Sequence, residues 1–246
     1  MSPTLATTAE AWHKVSQTLA TTAEAWHEVS PIYGEGMIET DYLVIGAGAL
    51  GMAFTDVILT ETDATVTLVD RHDRPGGHWN DAYPFVRLHQ PSAFYGVNSR
   101  PLGADRKDAD GWNAGLYELA SGSEVVAYFD QVLHQQFIPS GRVDYRPKHS
   151  YDPDVTVTDD ADGDGCVTSF RSMVTGERID VGVRRKIVDA TYMNVSVPSQ
   201  RDPTYAIADG VRHGPVNALG DLREPADGYT VIGAGKTGAD AWLFLL

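Results

Sequence analysis

The sequence predicts an α/β protein: a Rossmann-like domain with a parallel sheet and helices on both faces, an inserted three-stranded antiparallel β-meander, and the start of a second Rossmann unit. Three observations carry this. Gly46-Ala47-Gly48-Ala49-Leu50-Gly51 directly follows the apolar run Asp41-Tyr42-Leu43-Val44-Ile45. A second glycine turn, Gly233-Ala234-Gly235-Lys236-Thr237-Gly238, stands behind Tyr229-Thr230-Val231-Ile232. Residues 151–183 alternate apolar and polar positions between turn residues, the period of a meander.

One GxGxxG run is weak evidence; its context is what the chemistry requires. A strand, a tight glycine turn and a helix start bring free helix N–H groups to face a pyrophosphate. The first glycine permits the turn, the second lets the backbone approach the phosphates, and the third lets helix and strand pack closely. Gly46, Ala47, Gly48, Ala49, Leu50 and Gly51 are therefore the first set of candidate binding residues, and Gly233, Gly235, Lys236, Thr237 and Gly238 the second. A helix is expected from about residue 50 to 60, with Leu50, Phe54, Val57 and Ile58 at helical spacing. The run Ala64 to Val69 then reads as a strand ending at Asp70, 19 residues after Gly51, where an acid is expected to bind a ribose hydroxyl. Two turns imply two dinucleotides, with electrons passing between them.

Asp70 is followed by Arg71-His72-Asp73-Arg74-Pro75-Gly76-Gly77-His78-Trp79. An acid at a strand end, a basic linker and Gly-Gly-x-Trp resemble the flavin-binding half of the flavin-containing and Baeyer–Villiger monooxygenase group. The resemblance implies that Arg71, Gly77, His78 and Trp79 run along the pyrophosphate and ribityl chain of FAD. Tyr83-Pro84-Phe85-Val86-Arg87-Leu88-His89-Gln90-Pro91-Ser92-Ala93-Phe94-Tyr95 is similar to the group's region beside the flavin ring, with His89 where Asp or Asn is usual. Arg185 to Tyr192 resembles the Ala-Thr-Gly strand end at which these proteins cross between domains, so Ala190 and Thr191 are expected near FAD. His89 and Arg87 are the candidate catalytic side chains; a structural histidine and a surface ion pair stay open for them. The resemblance implies an FAD-dependent, monooxygenase-like oxidoreductase that takes hydride from NADP or NAD at residues 233–238 and acts on an unidentified small organic substrate. An NAD(P)H:acceptor oxidoreductase without oxygenation, and a catalytically silent FAD-binding fragment, stay open beside it.

Composition limits the partners. A net charge of −15 opposes nucleic-acid binding, which needs a basic face. Cys166 is the only cysteine, so neither a disulfide framework nor a CxxC redox pair exists, and a reducing cytoplasm is the expected location. No apolar run reaches a membrane span of about 18 residues. The histidines match no zinc spacing, HExxH is absent, and no metal is expected.

Three segments are expected. Thr4 to His13 recurs letter for letter as Thr18 to His27, which sets residues 1–36 apart as an extension, either a duplicated addition or a docking helix. Residues 37–225 form the FAD-binding domain, with the meander at about 151–183. Within it Val125, Val126, Phe129, Val132, Leu133 and Phe137 give a helical face, capped by Ser123 and stopped by Pro139-Ser140-Gly141. Val143-Asp144-Tyr145 reads as a strand and residues 100–115 as a surface loop. The meander strands are expected at 154–158, 166–170 and 178–181, with a separate buried strand from Arg185. The acidic turn at 159–165 lacks the twelfth-position Glu of a calcium loop and reads as a hairpin turn. Residues 226–246 begin an incomplete NAD(P)-binding domain, ending in the apolar face Ala241-Trp242-Leu243-Phe244-Leu245-Leu246 that would favour self-association.

Overall fold

The computed structural model describes residues 37–151, 158–159, 165–191, 199 and 202–246. The repeat in 1–36, the first meander strand over 154–157, most of the acidic turn and Tyr192 lie outside the described residues.

Strand β1 (Ile38–Ile45) is followed by helix α1 (Ala49–Glu61) and strand β2 (Val66–Asp70). After a long irregular segment come helix α2 (Gly122–Val132) and strand β3 (Val143–Pro147). The chain then forms β4 (His149–Tyr151), β5 (Thr158–Asp159), β6 (Cys166–Ser172) and β7 (Arg178–Asp189), and ends with helix α3 (Lys236–Leu245). The strands make one mixed sheet in the order β3-β2-β1-β7-β6-β4, with β5 also on β6. Strands β3, β2, β1 and β7 run parallel, and β6 turns antiparallel on β7. Their registers bring Ile45, Val69 and Asp189 level and set Asp70 beside Pro147. The carboxyl ends of the parallel strands thus form one edge, where open α/β sheets bind ligands.

Successive strand residues point to opposite faces. Val44, Val66 and Leu68 face one core with Met52 and Ile58 of α1 and Val125, Phe129 and Val132 of α2. Leu43 and Val69 face a second core built with Phe170, Val181 and Val183 from the antiparallel strands. The meander therefore extends the sheet and supplies the apolar cover for that second face. Asp41 ties β1 to its neighbours, accepting from the Thr65 amide at 2.7 Å and from Arg184 at 3.0 Å. The Arg184 hydrogen bond holds its carboxyl down at about 2.

Several elements differ in detail from expectation. The buried side of α1 is Gly51, Met52, Thr55, Asp56 and Ile58, whereas Leu50 and Val57 are exposed. Gly51 lies against the Gly46 carbonyl, and that close packing sets the rotation of the helix. Asp56 tolerates burial because it accepts the Ser99 amide at 3.0 Å and the Ser99 hydroxyl. The cap of α2 is Ser121, not Ser123: its hydroxyl accepts from the Glu124 amide while the Ser121 amide donates to Glu124 at 2.7 Å. This is the reciprocal capping box. The stop at Gly141 holds, with φ +70°. The third meander strand and the strand from Arg185 are one 12-residue strand, β7, whose first half pairs with β6 and whose part from Val181 to Asp189 pairs with β1. Residues 229–232 form no strand, because no described strand runs beside them and a parallel strand is held only by its neighbours.

Candidate functional site: two glycine turns

The first turn sits at the carboxyl end of β1. Gly46 takes φ +100°, a conformation open to glycine, and its amide donates to the Val69 carbonyl at 2.7 Å. A Cβ on Gly51 would stand 1.8 Å from the Gly46 carbonyl oxygen, so helix and strand touch backbone to backbone. Gly48 is the residue before α1, and no side chain caps that helix. Its first-turn N–H groups are therefore open to an anion from outside the turn. Gly48 also lies against Gly77: a Cβ on Gly77 would come within 2.9 Å of the Gly48 Cα. Gly77 thus closes one side of the cradle against the Gly48 backbone, too near for a side chain of its own.

Two expected residues complete the wall around Gly46. Ala190 donates its amide to the Ile45 carbonyl at 2.9 Å, and the Thr191 methyl lies 3.0 Å from where a Gly46 Cβ would be. Thr191 is fixed in turn by its amide and hydroxyl donating to Asp189, at 2.8 Å and 2.6 Å. Ala47 is fully buried; its amide donates to Asp70 and its carbonyl accepts from Gly76 at 2.9 Å. Ala49 is half-buried beside the core and Leu50 is exposed.

Asp70 is buried at the end of β2 and aimed at the turn. One oxygen accepts the Ala47 amide at 2.6 Å, and the other accepts the His72 amide at 2.7 Å and the His72 ring at 3.0 Å. The acid thus braces the turn. Arg71 is exposed. His78 stacks on Trp79 at 5.2 Å between ring centroids, and burial pushes its pKa below the usual imidazole value. The Trp79 indole donates to the Tyr95 hydroxyl at 2.6 Å, locking the Gly-Gly-x-Trp segment onto the later part of the same motif region.

The second turn repeats the backbone of the first. Gly233 has φ +123°, Gly235 precedes α3 with φ −80° and ψ 180°, and no side chain caps that helix. Gly48 has φ −78° and ψ −173° at the equivalent place. A Cβ on Gly238 would stand 2.2 Å from the Gly233 carbonyl oxygen, as Gly51 does to Gly46. The turn packs on residues 83–87. Lys236 donates to the Arg87 carbonyl and to Asp240, and Asp240 accepts from Tyr83 at 2.6 Å. Burial, then the Asp240 contact, pushes the Tyr83 phenol well above its usual range, keeping it a donor; Thr237 also hydrogen-bonds it. Phe85 and Phe244 stack at 4.0 Å. Trp242, Leu243 and Leu246 remain exposed.

Of the two candidate catalytic residues, Arg87 meets the second turn through its backbone carbonyl. The Arg87 side chain donates to the Leu119 carbonyl at 2.9 Å and lines a cleft of about 440 Å³ with Arg100, Glu118, Glu124, Tyr128 and Gln131. His89 is exposed. Sequence patterns did not single out His72, Asp81, Tyr83 or Asp240 as individual site residues. The spacing of Lys236 and Asp240, four apart on one helix, was the available signal for their pairing. No helix among the described residues is long and apolar enough to cross a membrane.

Residues 44–97 match the family model of the NAD(P)-binding Rossmann-like domain. An uncharacterized protein of Mycobacterium tuberculosis is 54% identical over 209 residues, which cover 85% of this chain and 36% of that relative. The chain thus spans 36% of the length of the curated relative it matches. Among solved structures, the polycyclic ketone monooxygenase from the thermophilic fungus Thermothelomyces thermophila aligns with a TM-score of 0.48 and 16% identity, over 66% of this chain and 24% of its own. The flavin-containing monooxygenase from Stenotrophomonas maltophilia aligns with a TM-score of 0.41 and 19% identity, over 63% and 39%. Residues 44–97, from β1 through the Asp70 and Gly77 segments, have a Rossmann-like fold and match that family model.

Proposed function

We propose that residues 37–225 bind FAD at the 46–51 turn, that residues 226–246 begin the NAD(P) site of the same protein, and that the whole is a monooxygenase-like flavin oxidoreductase. The observation that carries this is the cradle at the first turn: a helix N-terminus without a side-chain cap, with the Gly77 backbone packed on Gly48 too closely for a Cβ on Gly77. A dinucleotide pyrophosphate is the ligand that such a glycine-walled, amide-lined turn accepts. The residues present fit it. Gly46 to Gly51 would hold the pyrophosphate, with Ala190 and Thr191 closing the near side. Asp70 reaches a ribose only from an orientation already fixed by Ala47 and His72. FAD, when bound, would supply the two-electron chemistry.

The chain's own residues would position and seal. Trp79 and Tyr95 fix the Gly-Gly-x-Trp segment, and Lys236 holds the second turn to the backbone of Arg87. The second turn thus lies against residues 83–87, and in this reading the NAD(P) unit begins beside the stretch that the motif resemblance sets next to the flavin. His89 stands where the motif has Asp or Asn, and that departure supports the acceptor-oxidoreductase reading as the second one. The substrate class is a small organic molecule.

The test is a visible spectrum of the purified chain with FAD, followed by anaerobic NADPH. A protein-bound flavin band near ~450 nm is expected, and bleaching on NADPH is expected if the second turn works as it stands. A bound flavin that NADPH leaves unbleached would remove the second turn from the proposal. NADPH oxidation that yields no oxygenated product from any ketone or amine tried would favour the acceptor oxidoreductase.

A further inference from the structure

His72 has a carboxylate on each ring nitrogen. Nδ1 lies 3.0 Å from Asp70 and Nε2 lies 2.9 Å from Asp81. Ionised carboxylates only accept, so both nitrogens must donate, and the ring with two N–H groups is the imidazolium. A neutral ring would turn a lone pair toward one of the two acids. The partners tie together two parts of the cradle. Asp70 ends β2 and holds the Ala47 amide of the glycine turn; Asp81 ends the 3-10 helix Gly77–Asp81, whose first residue faces Gly48. Asp81 is itself anchored, its carbonyl accepting from Asn217 at 3.0 Å.

We propose that His72 is the positioning residue of the first dinucleotide site: as an imidazolium bridging Asp70 and Asp81, it holds the 46–51 turn and the Gly77 wall at the separation the ligand needs. The inference rests on the dinucleotide assignment of that turn. A hydrogen-bonded clamp of this kind acts through two charge-assisted bonds, and deprotonation removes one of them.

Asp70 on β2 and Asp81 on the 3-10 helix are the charges that bear on the ring; the Asp70 hydrogen bond leads in raising its pKa above 6.5, partial burial opposes, and Asp81 adds to the rise. A group whose pKa is raised on folding gives its full benefit below its ordinary value and loses it as pH climbs through the raised one. Dinucleotide affinity should therefore be high below pH 6.5 and fall above it. His78, the neighbouring imidazole, is shifted the other way by burial.

The experiment is a pair of titrations between about pH 5.5 and about pH 8.5. His72 is followed by its ring resonance in NMR, assigned by its loss in His72→Gln, and ligand affinity by quenching of FAD fluorescence, with NADP as a second probe. Wild type is expected to weaken about tenfold across the range, with the same midpoint in both measurements. His72→Gln is expected to sit at the weak plateau at every pH, and Asp81→Asn to lower both midpoints. Binding that is independent of pH, or a His72 midpoint at or below 6.5, would overturn the positioning role and leave the dinucleotide assignment standing. A folded chain that binds neither FAD nor NADP would overturn the assignment and this role together.

Discussion

Gly51→Ala is expected to abolish dinucleotide binding and to cost the domain more than about 4 kcal/mol of stability. The added methyl would sit 1.8 Å from the Gly46 carbonyl oxygen and 3.0 Å from its carbon, both backbone atoms that cannot step aside. Relief requires α1 to lift from β1, and that opens the core around Met52, which is fully buried. Gly238→Ala is the informative contrast. Its methyl would meet the Gly233 oxygen at 2.2 Å, nearly as close, but that turn follows an exposed, unpaired segment. It should leave the melting of the sheet unchanged and remove only a response to NAD(P). Thermal melts followed by circular dichroism separate the two. Equal melting of Gly51→Ala and wild type would mean that the first turn is not packed as described.

Asp70→Ala is expected to be the second most damaging change, at about 3 kcal/mol, the cost of breaking a buried hydrogen-bonded charge pair from one side. Asp70 is 5% exposed and accepts from the Ala47 amide and from His72 at three atoms in all. Removal strands the Ala47 N–H in a fully buried position and leaves the His72 ring with one partner. Asp70→Asn should fall between: one amide oxygen still accepts, while its NH2 must face an N–H donor. Urea unfolding of the three proteins tests the order. An Asn variant as stable as wild type would show that the carboxylate charge contributes nothing to the turn.

The glycine spacing, with its flanking strand and helix, made the first turn legible because each glycine has one steric job that no other residue does. Asp70 was legible as the acid closing β2, but its orientation was not. A carboxylate that braces its own turn and one that waits for a ribose look identical in sequence, and only the burial of Ala47 and the position of His72 distinguish them. The buried face of α1 departs from the apolar spacing of Leu50, Phe54, Val57 and Ile58, because Leu50 and Val57 are exposed. The contact between Gly51 and Gly46 overrides hydrophobicity there and turns Thr55 and Asp56 inward. Pairing decided the strands. Residues 178–189 are one strand because β1 and β6 offer edges along its whole length, while the apolar run 229–232 finds no edge among the described residues. The packing of Lys236, Asp240 and Tyr83 joins positions more than 150 apart in the chain, a separation that motif spacing does not reach.

Whether the first glycine turn is a flavin dinucleotide site is decided by an equilibrium titration of the purified chain with FAD. One-to-one binding with quenched flavin fluorescence is expected, lost in Gly51→Ala and kept in Gly238→Ala. A folded wild-type chain that leaves FAD free, or one that binds it equally well with the Gly51 turn broken, would contradict it.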